Sequence, residues 1–262
     1  MKDYYSDLHY VKIGQAYLLF VTPVLKSFAE FRNSNKHIVI SNFIARSATL
    51  LRGIIQLWQI GAFQDCWILH RCLMDRLFHL HYLIESNTFD EFEKWSFIQR
   101  FEKANQIRSD PYSRNQFDKD TLKVSQADSK RYKKLKKEDI KWSRPRPEDA
   151  AELLELKLLY KYGYDYASTL VHPMADDGEQ EFNLIAGIGF RTDHPTVLNN
   201  SCLVSSMIVQ LGLNGSDLLW RALIYDFIDQ MRHALIDDSE DYMTSLDKIL
   251  DANESFEWCK AK

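Results

Sequence analysis

Glycine and proline are both scarce: nine glycines and six prolines stand in 262 residues, and no proline occurs between Pro23 and Pro111 or after Pro195. Proline inside a helix costs roughly 3 kcal/mol, so such stretches read as helical. The four cysteines, Cys66, Cys72, Cys202 and Cys259, include no Cys-x-x-Cys pair. They read as reduced thiols, which suits a cytoplasmic protein. No apolar run reaches the roughly 18 uninterrupted residues of a membrane span, and the start "MKDYYSDLHY" lacks the basic and apolar regions of a signal peptide. A soluble protein without a membrane partner is expected. Phosphate loops, the Gly-x-Ser-x-Gly elbow and His-Glu-x-x-His are also missing: "GIGFRTDHP" has neither the further glycine nor the lysine. These absences argue against nucleotide binding of the standard classes and against a zinc protease. With a formal net charge of -4, any surface for nucleic acid has to be local.

What is present is helical periodicity. Ile44, Leu51, Ile55 and Trp58 fall on one face, and Leu69, Leu73, Leu77, Leu80 and Ile84 fall on another, with Gly61 as the joint. A helix over Asp90–Ile107 opens on acidic residues, as the positive end of a helix dipole favours. Glu148–Tyr162 resumes the pattern until Gly163, a long helix covers about Thr196–Ala234, and Tyr242–Leu250 closes the chain. The expected fold is all-α, a helical bundle forming one domain over 1–262. Its core is about 40–107 plus 148–235, with a polar basic insertion at 108–147, a short irregular segment around 174–195 with room for a strand pair, and a C-terminal extension at 236–262.

Three groups of residues could carry chemistry. The first is "WILHRCLMDRLFHLHYLIE", which keeps Arg71, Asp75 and His79 at i, i+4, i+8 in an otherwise apolar helix. Ionisable groups there need a partner or a cavity, so an Arg71–Asp75 pair and a polar pocket are expected. The second is "YDYASTLVHP", where Tyr164, Ser168 and His172 would form a stripe if helical, and where Pro173 makes His172 a candidate helix-terminal cap. A metal held by His172 and Asp176 or Asp177 together with Asp75 and His79 would lack tight ligand spacing, so no metal and no cofactor is expected. The third is "SKRYKKLKKEDIKWSRPRP", whose Lys133, Lys134, Lys136 and Lys137 with Tyr132 and Trp142 read either as a solvated face or as an RNA-backbone track.

Arg76 and His81 match the spacing of the HEPN ribonucleases and toxins, Arg then His after four to six residues. Arg32 and His37 match it too, and with 14 arginines and eight histidines such spacing arises by chance. Residues five apart also lie far around an ideal helix, so such a site needs a distorted turn or a homodimer interface. More specific is the pairing of "GAFQDCWILHRCLMD" with "YDYASTLVHP", which resembles a bacterial domain family of unknown function over about 40–235. The resemblance places the family's arginine on Arg71, its acid on Asp75 in place of glutamate, and its serine and histidine on Ser168 and His172. It implies a fold similar to HEPN-type bundles, found in prokaryotic defence and toxin contexts.

Two functions follow. In one, the chain is a metal-independent ribonuclease effector of an antiviral defence or toxin system, with Arg71, Asp75 and His172 catalytic. Tyr164, Ser168 and the four lysines would bind RNA, and Arg76, His79 and His81 are secondary candidates. In the other it is a non-catalytic module binding a partner protein through Tyr4, Tyr5, Trp142 and Trp258, with the Arg71/Asp75/His172 cluster as a structural network. A small-molecule sensor is a third.

Overall fold

In the computed structural model the described residues are 7–30, 32–112, 123–138, 140–172, 178–188, 195–214, 221–237 and 239–255, and they form helices with no strand among them. The chain is all-α. In order, the helices are α1 (Asp7–Glu30), α2 (Asn35–Gln59), α3 (Phe63–Ser86), α4 (Phe89–Ser109), α5 (Gln126–Leu135) and α6 (Pro147–Leu153). Next comes α7, which runs from Lys157–Leu159 through a π-helical Tyr160–Asp165 into Tyr166–Thr169. Last are α8 (Glu179–Ile185), α9 (Thr196–Asn214), α10 (Arg221–Ala234) and α11 (Asp241–Ser255).

Two compact units are present. One comprises 1–84 and 146–262, the other Glu85–Pro145. In the larger unit, small residues let helices approach closely. A Cβ on Gly212 of α9 would stand 2.8 Å from Ile40 and 2.9 Å from Ile44 of α2, so any side chain there would have to displace them. Tyr17 ties three helices, its hydroxyl donating to the Ser205 carbonyl of α9 at 3.1 Å and lying 3.4 Å from Ser47 of α2. Phe20 of α1 stacks on Phe227 of α10 at 4.3 Å, and both rings are fully buried. The Ser245 hydroxyl of α11 donates to Asp226 of α10 at 2.6 Å. Helices α1, α2, α9, α10 and α11 pack on one another, and α3 adds Leu73, Leu77 and Leu80 to the buried core.

Helices α2 and α9 have the length and mean hydropathy of a membrane span (1.4 and 1.3), although charges interrupt α2 in the sequence. More than half of each such window is buried inside the bundle, which accounts for the apolar composition without a membrane.

Gly61 has φ +86 and ends α2 through Ala62 N–H to Leu57 O, as expected of a left-handed helix stop. The interruption expected at Gly163 lies elsewhere. Helix α6 stops at Leu153 because Glu155 takes φ +57 and Leu156 N–H reaches back to Ala151 O at 2.7 Å, and Gly163 sits inside α7. Of the span expected as a single helix over 196–234, α9 and α10 are helical, and 215–220 lie outside the described residues. Of the irregular segment around 174–195, residues 178–188 are helix α8 and the turn after it.

The smaller unit is built differently. Among its described residues the buried apolar side chains are Phe89, Ile98 and Leu135. Around them Phe92, Trp95 and Trp142 cluster with centroids 4.8–6.2 Å apart, and Tyr132 stacks on Phe101 at 4.3 Å. The Arg131 guanidinium lies 4.3 Å from the Phe97 ring and also pairs with Glu93. The basic stretch expected as an insertion at 108–147 thus folds back on α4, through Lys136–Glu102 at 2.6 Å and Lys94–Glu138 at 3.1 Å.

Candidate functional site

The two sequence blocks meet. Arg71 and Asp75 lie one turn apart on α3, and Tyr164 reaches them from α7. Arg71 Nη2 donates to the Tyr164 hydroxyl at 3.1 Å, and its guanidinium lies 5.0 Å from the Tyr164 ring centroid. The Asp75 carboxylate stands close enough to act on the same hydroxyl. Burial first, and then the Asp75 charge, push the Tyr164 phenol above its ordinary value, while Arg71 pulls the other way. The two charges expected to pair are thus both set against Tyr164.

A π-helical turn places that residue. A π turn carries more residues than an α turn, so Tyr160 and Tyr164 come to stack face to face at 5.4 Å, 17° apart. Both rings pack on Phe78, at 6.4 and 6.1 Å. The backbone of Gly163 faces Met74 and His70 of α3, where a Cβ would stand 3.4 Å from Met74 Cε.

The rest of the stripe is not assembled. The Ser168 hydroxyl donates to the Tyr164 carbonyl at 2.8 Å, and α7 ends at Thr169. His172 lies beyond that end and is exposed. No hydrogen bond or ion pair joins it to Arg71 or Asp75. Pro173, Asp176 and Asp177 lie outside the described residues, as do Tyr4, Tyr5, Trp258 and Cys259. His79 Nδ1 bonds the Asp75 carbonyl at 2.7 Å, and Arg76 donates to the Cys72 carbonyl, so both are engaged on their own helix. His81 is half-buried. Among the described residues no group of three His, Cys, Asp or Glu side chains is placed to hold a metal.

In the smaller unit Lys133, Lys134 and Lys137 are exposed, whereas Lys136 is paired with Glu102. The two rings expected to interleave with them are occupied. Tyr132 is stacked on Phe101 and donates to Glu102 at 3.1 Å, and Trp142 donates through Nε1 to Thr88 at 3.1 Å. A base-stacking platform needs a free aromatic face, which this arrangement withholds.

Sequence reasoning passed over His70. It is 1 % exposed, its Nδ1 lies 2.9 Å from Ser201 Oγ of α9, and burial pushes its pKa down to about 4. Its neighbours Trp67 and Cys66 gave no polar signal, because a lone histidine on a core face is most often a satisfied core residue.

A helical protein whose two polar blocks converge at a π turn, with no metal cluster among its described residues, defines a class by fold but not by reaction. The chain belongs to the family of unknown function DUF5677, whose model matches residues 37–183. That span contains Arg71, Asp75, Tyr164, Ser168 and His172 and all of the smaller unit, and it ends well short of the resemblance expected to reach 235. No curated protein and no solved structure matches the chain.

Proposed function

We propose that the chain is a non-catalytic helical interaction module, in which Arg71, Asp75 and Tyr164 staple α7 to α3 and the outer face of α7 and α8 receives a protein partner. One observation carries this reading. Of the 14 large apolar side chains exposed among the described residues, seven fall between Leu153 and Ile188. Leu158, Tyr162 and Tyr166 repeat every fourth residue along α7, and Phe182 and Ile185 project from α8. Trp67 of α3 packs edge-on to Tyr166 at 5.0 Å, and Gln64, one turn earlier, donates to Glu181 of α8 at 2.9 Å. Both exposed faces thus dock beside the start of α3. Apolar side chains gathered in this way mark interaction surfaces. The partner is a second copy of the chain, since two-fold pairing of one self-complementary patch is the commonest closed assembly.

Sedimentation velocity of the purified protein tests the reading. Self-association in the micromolar range, abolished by Tyr162→Glu with Phe182→Glu, is the expected result. A wild-type monomer at all concentrations overturns it.

A second reading, a HEPN-like metal-independent ribonuclease of a defence or toxin system, has its own support. Arg71 Nε is buried with no acceptor among the described residues, and His172 is open to solvent. In that reading Arg71 holds the scissile phosphate, His172 moves the proton of the 2′-hydroxyl, and the exposed lysines attract the RNA backbone. Incubation with a mixed RNA pool, with and without chelator, separates the two. Cleavage that His172→Ala removes without lowering the melting temperature establishes the nuclease. An intact pool leaves the interaction module.

A further inference from the structure

Leu158 and Tyr162 of the exposed stripe also line the mouth of a cavity of about 220 Å³ between α7, α3 and α9. Its walls are otherwise Leu159, Leu203 and the bare backbone of Gly163, and two polar side chains face it, His70 and Asn200. We infer that this cavity is a binding site for a small, neutral, ring-shaped molecule that carries a hydrogen-bonding group on one edge, of the phenol or indole kind. The inference rests on the cavity and its polar groups alone and stands whether or not the face above it binds a second copy.

Size sets the first constraint. An apolar cavity of about 150 Å³ accepts benzene, and drug-sized ligands need about 300 Å³ or more, so this volume suits one substituted ring or two fused ones. The imidazole sets the second. His70 is 1 % exposed, Ser201 holds its Nδ1 at 2.9 Å, and the Trp67 ring stands edge-on to it at 5.5 Å, so the ring cannot turn away. Its Nε2 has no hydrogen-bond partner among the described residues and lies 3.6 Å from where a Cβ on Gly163 would be. Turned to the cavity, this nitrogen can exchange a hydrogen bond to water for one to a ligand's donor or acceptor, which the fixed ring orients. The Asn200 amide likewise makes no side-chain hydrogen bond among the described residues, and it supplies both a donor and an acceptor.

Charge sets the third constraint. Burial keeps the imidazole neutral at physiological pH, and none of the lining side chains is ionised there. A carboxylate or an ammonium group entering the cavity would lose its hydration without meeting a counter-charge, so the site favours neutral molecules. Gly163 completes the site: its missing Cβ leaves the floor between the π turn and His70 open.

Titration of the purified protein with phenol, indole, benzene and benzoate, read on the 15N signal of His70 Nε2, tests this. Phenol and indole should saturate, shift that signal and bind roughly tenfold more tightly than benzene, the contribution of one hydrogen bond, while benzoate should not bind. In Gly163→Ala the new methyl sits at ordinary contact distance, 3.4 Å from Met74 Cε and 3.6 Å from His70 Nε2, so the protein should fold and phenol affinity should drop. Leu203→Trp fills the cavity from α9 and should abolish binding even if Gly163→Ala proves unstable. Failure of phenol and indole to bind the wild type overturns the inference. So does equal affinity for benzene and phenol, or unchanged binding in Leu203→Trp.

Discussion

The two units hold themselves together by different physics. In the larger one the core side chains are aliphatic or aromatic groups at or near zero exposure, and polar groups inside it are small, chiefly serines bonded to nearby backbone or to one another's helices. In the smaller one, three apolar side chains are buried among the described residues, and half-buried rings, guanidinium groups and carboxylates pack around them. Burial of apolar area scales with the area removed from water and is not screened by salt, whereas exposed ion pairs and cation–π contacts contribute little each and are screened. The larger unit should therefore respond to changes of volume, and the smaller one to changes of charge.

The most direct way to break this comparison is to truncate one ring in each unit. Phe227 is fully buried and stacked on Phe20, so Phe227→Ala should cost about 3–5 kcal/mol and lower the global melting temperature. Phe101 is half-buried and stacked on Tyr132, so Phe101→Ala should raise hydrogen exchange within Glu85–Pro145 and leave α1, α2 and α9 protected. Equal global losses from both would show that the two units unfold as one.

Acid offers a second separation. The His70 pKa is lowered from 6.5 to about 4 in the folded protein, so the unfolded chain binds the extra proton between those values. Stability of the larger unit should fall as pH drops from 6.5 to 4 and level off below, by about 3 kcal/mol for a shift of that size. Glu102 in the smaller unit loses its contribution in a lower window. Its hydrogen bond to Lys136 holds its carboxyl below the ordinary 4.5, so that contribution persists above 4.5 and is lost only at lower pH. Hydrogen exchange at pH 7, 5.5 and 4 should show the larger unit loosening first, and His70→Gln should remove that order.

The legible and the hidden parts of the molecule divide along a physical line. Helices α2 and α3 were readable because Ile44, Leu51, Trp58, Leu73 and Leu77 repeat at 3.6-residue spacing and are buried. The joint at Gly61 was readable because a left-handed residue is usually glycine. The pairing of Arg71 and Asp75 with the 164–172 block was suggested by the family resemblance, but Tyr164 as the residue that meets Arg71 was not. It depends on a π turn, for which single-sequence periodicity has no template. The His70–Ser201 contact joins positions 131 apart in an apolar context, and no local pattern encodes it. In the smaller unit the lysines read either as a solvated face or as an RNA-backbone track, and nothing in their spacing showed that Tyr132 and Trp142 pack on Phe101 and Trp95.

The smallest expected effect lies in two left-handed residues that are not glycine. Asn87 has φ 51 between α3 and α4, at the start of the smaller unit, and Glu155 has φ 57 where α6 stops in the larger one. Asparagine enters this region at little cost because its short amide bonds locally, whereas a long side chain costs roughly 1–2 kcal/mol there. Glycine removes the steric penalty but increases the entropy of the unfolded chain, which offsets part of the gain. Asn87→Gly should consequently be near neutral, and Glu155→Gly should raise stability by up to about 1 kcal/mol, read as a rise in the urea midpoint with an unchanged slope. Glu155 makes no ion pair among the described residues, so the substitution removes backbone strain without removing a contact. If Glu155→Gly destabilises the protein instead, the stop at α6 is held by the glutamate side chain, and the larger unit depends on charge at this point after all.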